Sequence, residues 1–461
     1  MIKNLRRFAQ AFFLLLFCVT ALFRMPTLFN DYYDADELAA FVQTREYVAG
    51  DVPGRDFAES KHALYHAIFK ASFLLAPDAG WVMVRVFTII IVFLTAVFVF
   101  LAGDRLRGFP AGALGALLYA VLISSFNRHF MATNGEIVFN LPLAAAAYFL
   151  VRAIGEKSAS SRALWWALAG VAGFTAAMVK FHGLIFYIFL AFYLVVYAPY
   201  WRGQFTRRYA LILASLAGAL ALLAGIDMAY TKLIAPRIAS DISSKLFYAA
   251  SKGTNPLIFL AKYVHRQGLL AVWHWVAWAP AAAYAMMFFK RRAKAESEGE
   301  SALAIFLIFS YLLVFAGASR LYHHYFIACY PMLCLFAAMS LTSPAQRPVR
   351  AVRARLALFI LTPGIFFLAW NAKDAVIRNC APNAFYHEGR ALFWTRAALA
   401  GTFDDYLLPH PSYRDACERI RNITGPDDRI YVWGDGPYLY YFSGRRLGTH
   451  HMWPKTGVIR L

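Results

Sequence analysis

The sequence predicts an all-α polytopic membrane protein, and three observations predict it. Of its 461 residues, 60% are hydrophobic and only 16% charged, more apolar side chain than a soluble core requires. Apolar runs long enough to cross about 30 Å of hydrocarbon recur along the whole chain. Lysine and arginine also sort themselves between alternate gaps separating those runs.

The runs fall near residues 8–29, 82–102, 111–126, 136–151, 163–179, 182–199, 209–231, 269–289, 302–318, 325–341 and 354–372, which makes about eleven spans. With the N-terminus taken as cytoplasmic, the N-terminal arm and the even-numbered gaps collect Arg6, Arg7, Arg105, Arg107, Arg152, Lys157, Arg162, Arg207, Arg208, Arg291, Arg292, Arg350 and Arg353. Topology therefore accounts for most of the net charge of +20, and a nucleic-acid-binding reading of that charge is excluded by its distribution. The first run lacks a small-residue cleavage site and reads as a retained span. An odd number of spans puts the C-terminus outside.

Residues 1–372 read as the membrane domain, with outward loops at 30–81 and 232–268. Tyr47, Phe57, Tyr65 and Phe69 suggest interfacial helices in the first loop. Residues 373–461 read as a small α/β domain on the outer side. In it Arg429–Gly434 resembles a strand ending in a glycine turn, and residues 438–442 a short helix or second strand. Cys380 and Cys417 both fall in this tail, where a disulfide is allowed. No internal or inverted repeat is evident.

The densest chemistry lies in the first loop. Asp34, Asp36 and Glu37 lead it, followed by Arg55, Glu59 and Lys61. The carboxylates suit helix capping at a loop, or, beside a membrane, general-base work on an acceptor hydroxyl. Lys61 either snorkels or meets a phosphate as a point charge, with Glu59 as its partner. Glu136 opens the fourth span, as a cap or as a substrate ligand, and Lys180 and His182 lie between apolar runs, where cations suggest function. The run Arg320 to Tyr325 contains two adjacent histidines, but neighbours point apart and no third zinc ligand is evident. Arg320 with His324 and Tyr325 makes the better anion patch. No phosphate-cradling glycine loop or serine–histidine pattern stands out.

An acidic pair after the first span, then a Gly-x-x-Pro-x-Arg-Asp-Phe-x-Glu-x-Lys stretch over Gly50–Lys61, resembles the first outward loop of the GT-C glycosyltransferases. The nearest branch is the protein O-mannosyltransferase and aminoarabinose–lipid A transferase group. Glu136 before an apolar helix, Lys180 after a glycine-containing span and Arg320–Tyr325 before Pro331 follow the same order. His62 and Ala63 stand where relatives carry prolines after the lysine.

The resemblance implies an inverting transfer of a sugar from a polyprenyl phosphate to an acceptor hydroxyl or phosphate of lipid A, another glycolipid, a polysaccharide or a protein, at the outer face of a bacterial inner membrane. Asp36 would be the catalytic carboxylate. Glu37, Arg55, Glu59, Lys61, Glu136, Lys180, Arg320, His324 and Tyr325 would line the donor phosphate and substrate site. No cofactor is required by this reading, and a divalent metal gains no support from the sequence. A transporter or flippase for an anionic or lipid-linked substrate is the alternative; it would call for midplane charges and repeat symmetry.

Overall fold

The structure is a computed structural model that describes residues 2–29, 34–51, 63–124, 128–197, 263–265, 267–268, 270, 274–290, 298–316, 323–342, 411–432 and 437–448. The first helix, α1 (Ile2–Arg24), ends in a 3₁₀ turn at Met25–Phe29. Two loop helices follow, α2 (Ala35–Val48) and α3 (Ala63–Leu75). The membrane bundle continues through α4 (Gly80–Arg107), α5 (Phe109–Leu122), the turn α6 (Arg128–Met131), α7 (Gly135–Ile154), α8 (Ala159–Val179) and α9 (Ile185–Phe192). Then come α10 (Trp275–Lys290), α11 (Glu298–Ala316), a 3₁₀ turn at His323–Cys329 and α12 (Tyr330–Thr342).

Among the described residues, five helices are long and apolar enough to cross a membrane: Phe8–Leu28, Gly80–Arg107, Gly135–Ile154, Ala159–Val179 and His324–Thr342. The spans expected at 111–126 and 182–199 appear as shorter apolar helices. The first is cut at its start by Gly108, whose φ of 82° breaks the helix from α4. The second is divided into a 3₁₀ turn at Phe181–Leu184, α9 and a π-helical turn at Tyr193–Tyr197. The expected spans 209–231 and 354–372, and most of the loop 232–268, lie outside the described residues.

Small residues let the helices approach closely. A Cβ on Gly103 of α4 would stand 2.7 Å from the Cα of Gly112 in α5, so this crossing tolerates only glycine. Buried Arg24 fastens the end of α1. Its guanidinium donates to the carbonyls of Ile123 at 3.4 Å, Phe130 at 3.1 Å and Met131 at 2.6 Å, satisfying backbone groups left open at a helix end. Successive helices run in opposite directions, so α1, α5 and α8 finish at the end of the bundle where α4, α7 and α12 begin. Arg105, Arg107, Arg152, Lys157 and Arg162 mark the other end.

The C-terminal segment holds α13 (Pro411–Ile423), β1 (Arg429–Ile430), α14 (Pro437–Ser443) and β2 (Arg446–Leu447). The two strands pair in parallel, Arg429 with Arg446 and Ile430 with Leu447. The strand expected over Arg429–Gly434 is thus two residues long, and residues 438–442 are helix. This segment rests on α2. Ala39 and Val42 pack with Tyr440 and Leu447, and the Phe41 and Tyr441 rings lie 5.8 Å apart. Buried Glu46 accepts from Arg446 Nε and the Leu447 amide, both at 3.0 Å. Arg45 donates to the carbonyls of Tyr440 at 3.1 Å and Arg445 at 2.5 Å.

Candidate active site

The acidic motif begins with a cap. Asp34 is extended at the N-cap of α2, its Oδ1 accepting the Asp36 amide at 3.0 Å while its carbonyl accepts the Leu38 amide at 3.0 Å. This satisfies orphan donors of the first turn. Asp36 follows inside that turn, half-buried, where the helix dipole favours an anion. Glu37 is buried and forms a two-pronged ion pair with Arg85 of α4, one prong at 2.5 Å. It also accepts the Thr133 amide at 2.5 Å. Glu37 therefore ties α2 to α4 and to the segment before α7.

Tyr65 of α3 donates to the Thr133 carbonyl at 2.7 Å. Burial, and then the negative charges of Glu37, Asp36, Asp34 and Glu136, push its phenol well above the ordinary range. Four carboxylates thus gather around one ring.

The second half of the site comes from later segments. His129 of α6 shares a hydrogen bond of 2.6 Å between its Nδ1 and Asp34 Oδ2, and Asn134 Nδ2 donates to the same oxygen at 3.1 Å and to the His129 carbonyl at 2.8 Å. Burial would raise the Asp34 carboxyl. The His129 charge and hydrogen bond, with His324 and the Asp36 amide, instead hold it well below its ordinary value.

His324 reaches the cluster from the 3₁₀ turn before α12, which is anchored by Asn140 donating to the Ile327 carbonyl at 2.9 Å. The His129 and His324 ring centroids stand 5.5 Å apart. Lys180, at the end of α8, pairs with buried Glu136 at the start of α7. Gly135 makes room for it, since a Cβ there would meet Lys180 Cδ at 3.1 Å. The Lys180 ammonium also lies 5.3 Å from the Tyr325 ring, on which His182 stacks at 6.0 Å. A small cleft opens here, lined by Glu136, Phe139, His182, Leu313 and Tyr325.

Of the residues singled out from the sequence, Asp36, Glu37, Glu136, Lys180, His324 and Tyr325 come to one end of the bundle. Arg55, Glu59, Lys61 and Arg320 lie outside the described residues, as does Cys380. The sequence reading missed His129, Asn134, Thr133 and Arg85. Nothing local marks them: Asp34 and His129 are 95 residues apart, and Arg85 sits in an apolar run where only an intramembrane charge hinted at a partner. The zinc reading of His323 and His324 lacked a third ligand; the structure brings Asp34 and His129 to His324.

The class defined by this arrangement is a polytopic helical membrane protein whose acids and bases, drawn from separate loops, converge at one end of the bundle. Residues 61–226 match the sequence model of the dolichyl-phosphate-mannose-protein mannosyltransferases. The fold is similar to that of ArnT from Cupriavidus metallidurans bound to undecaprenyl phosphate, with a TM-score of 0.60 and 14% identity, over 94% of this chain and 85% of that one. It is also similar to the oligosaccharyltransferase AglB from Archaeoglobus fulgidus in complex with an inhibitory peptide and a dolichol-phosphate. There the TM-score is 0.54 and the identity 13%, over 97% of this chain and 64% of that one. No curated protein matches the chain in sequence. The sequence model covers residues 61–226, and what this chain shares with the two solved structures is the fold.

Proposed function

We propose that the protein is an inverting glycosyltransferase that moves a sugar from a polyprenyl phosphate to an acceptor hydroxyl or phosphate of a lipid, glycan or protein of the cell envelope. The observation that carries this reading is the half-buried Asp36 at the head of α2, within a cluster of buried acids, imidazoles and a lysine. The two relatives named above were solved with undecaprenyl phosphate and dolichol-phosphate, which supports a lipid-phosphate donor. The acidic end of the bundle faces the periplasm in this reading, opposite the arginine-rich end.

The chemistry is a single displacement. The acceptor oxygen attacks the anomeric carbon, Asp36 takes its proton, and the bond from that carbon to the phosphate oxygen breaks with its electrons leaving on the phosphate. A polyprenyl phosphate is already an adequate leaving group, so the site chiefly positions partners and stabilises charge. Lys180, held by Glu136 beside the cleft, meets the departing phosphate, helped by Arg55, Lys61 and Arg320. Glu37 holds Arg85 in place, Tyr325 lines the cleft, and Glu59 is assigned to Lys61 from their spacing in the sequence.

Asp36→Asn in purified protein, assayed with a radiolabelled polyprenyl-phosphate sugar, is expected to lose transfer by about 10²–10⁴-fold while still binding the donor. Unchanged transfer would overturn the assignment. A transporter reading is not favoured: the charges gather at one end of the bundle, and the fold is that of transferases.

A further inference from the structure

The turn α6 brings His129 to Asp34, yet α6 is only four residues long, too short to hold its own shape. Its geometry is set from outside. One grip is Arg24, which takes the carbonyls of Phe130 and Met131. The other is a seat for the Phe130 ring, made by His274 just before α10 and Tyr330, the first residue of α12. Phe130 meets the His274 ring edge-on at 5.6 Å and the Tyr330 ring at 5.4 Å. His274 and Tyr330 stand 5.3 Å apart and nearly perpendicular, and the imidazole Nδ1 shares a hydrogen bond with the phenol oxygen. All three residues are 0% exposed.

Two apolar residues of similar size would fill this space without the desolvation cost of a buried polar pair. What the hydrogen bond adds is direction. It holds the two rings in one mutual orientation, and edge-to-face packing then leaves Phe130 one place to sit. The His274 carbonyl accepts the Ala277 amide at 2.9 Å and the Trp278 amide at 3.2 Å, which fixes the seat to the first turn of α10. Phe130 and His129 are neighbours on α6, about 100° apart around its axis. A rotation that lets Phe130 slip therefore swings His129 away from Asp34, to which it is bonded at 2.6 Å. Asp34 in turn holds the Asp36 amide at 3.0 Å.

We propose that His274 and Tyr330 are positioning residues: their hydrogen-bonded pair seats Phe130, keeps His129 against Asp34, and so sets the first turn of α2 that carries Asp36. Their effect on the reaction rests on the transferase reading; their effect on His129 does not.

The test compares wild type with Tyr330→Phe, which removes one hydroxyl, with His274→Gln and with the double variant, each recovered as folded, monodisperse protein in detergent. In transfer assays each single variant is expected to lower kcat by about 10- to 100-fold with KM for the polyprenyl-phosphate sugar unchanged. The double variant should lose no more than the worse single one, because both break the same hydrogen bond. A lowered melting temperature with unchanged kcat, a raised KM in place of a lowered kcat, or losses that multiply in the double variant would overturn the assignment. Nuclear magnetic resonance with isotope-labelled histidine gives a readout that needs no turnover. The His129 imidazole signal, recognised by its disappearance in His129→Gln, is expected to shift in Tyr330→Phe, and an unmoved signal sinks the idea. Phe130→Leu empties the seat from the other side and is expected to match Tyr330→Phe in both readouts; it decides the outcome if Tyr330→Phe does not fold. A shifted signal in protein that shows no transfer even as wild type would count against the transferase reading alone.

Discussion

The side chains that hold the site together differ from those that act in it, and Glu37 shows the difference. With Arg85 fully buried and Glu37 1% exposed, removing either partner strands the other's charge, at a cost of about 3–5 kcal/mol. Arg85→Met and Glu37→Leu are each expected to lower the unfolding temperature sharply in detergent. The double variant should recover part of the loss, a coupling that a double-mutant cycle measures.

Asp34 makes a pH prediction. Its folded-state carboxyl lies below the ordinary value of 3.8, so its ion pairing stabilises the protein fully above that value. The contribution is lost only as pH falls through the lower folded value. Asn at this position still caps a helix. The stability difference between wild type and Asp34→Asn is therefore expected to shrink as pH falls below about 4. Melting curves across pH check it.

Among the elements, α2 is the one on which most depends. Its N-terminus carries Asp34, Asp36 and Glu37, and its C-terminal half is gripped by the β-paired segment through Glu46 and Arg45, with Asp51 just beyond the helix adding outer pairs. Glu46→Ala leaves Arg446 and the buried Leu447 amide without that acceptor, a loss of about 1–3 kcal/mol. Limited proteolysis should then release residues 411–448 faster than in wild type. The outer pairs between Asp51 and Arg429 at 2.9 Å and Arg446 at 3.2 Å are more exposed and contribute little, about 0–1 kcal/mol; Asp51→Asn is expected to be near neutral in the same assay.

The turn between α8 and α9 is equally constrained. A Cβ on Gly183 would overlap the Ala176 and Ala177 backbone. Gly183→Ala is expected to displace Lys180 and cost about 1–3 kcal/mol or more, read as a lower melting temperature together with a raised KM for the donor.

For the whole molecule, the alternation of helices sets acids and bases at opposite ends. Single cysteines at Ala49, beside the acidic end, and at Lys157, beside the basic end, are both exposed. In intact cells a membrane-impermeant maleimide is expected to label Ala49→Cys and not Lys157→Cys. Labelling reversed between the two would invert the proposed orientation.

The sequence by itself determined the class. Apolar runs and sorted arginines dictate a membrane bundle because hydrocarbon leaves the backbone no partner but itself, and those signals are local. It also placed Asp36, Glu136 and Lys180 at one end, since counting spans fixes which gaps share a side. Span lengths were less legible: Gly108 and the turn at Phe181–Leu184 break helices where composition is uniformly apolar. The pairing of side chains was decided only by tertiary structure. Glu37 with Arg85, Glu46 with Arg446 and Asp34 with His129 and His324 join residues tens to hundreds of positions apart, and no periodicity encodes such partners. They arise because a buried charge must find its complement, and which complement is near enough is settled only once the helices have packed.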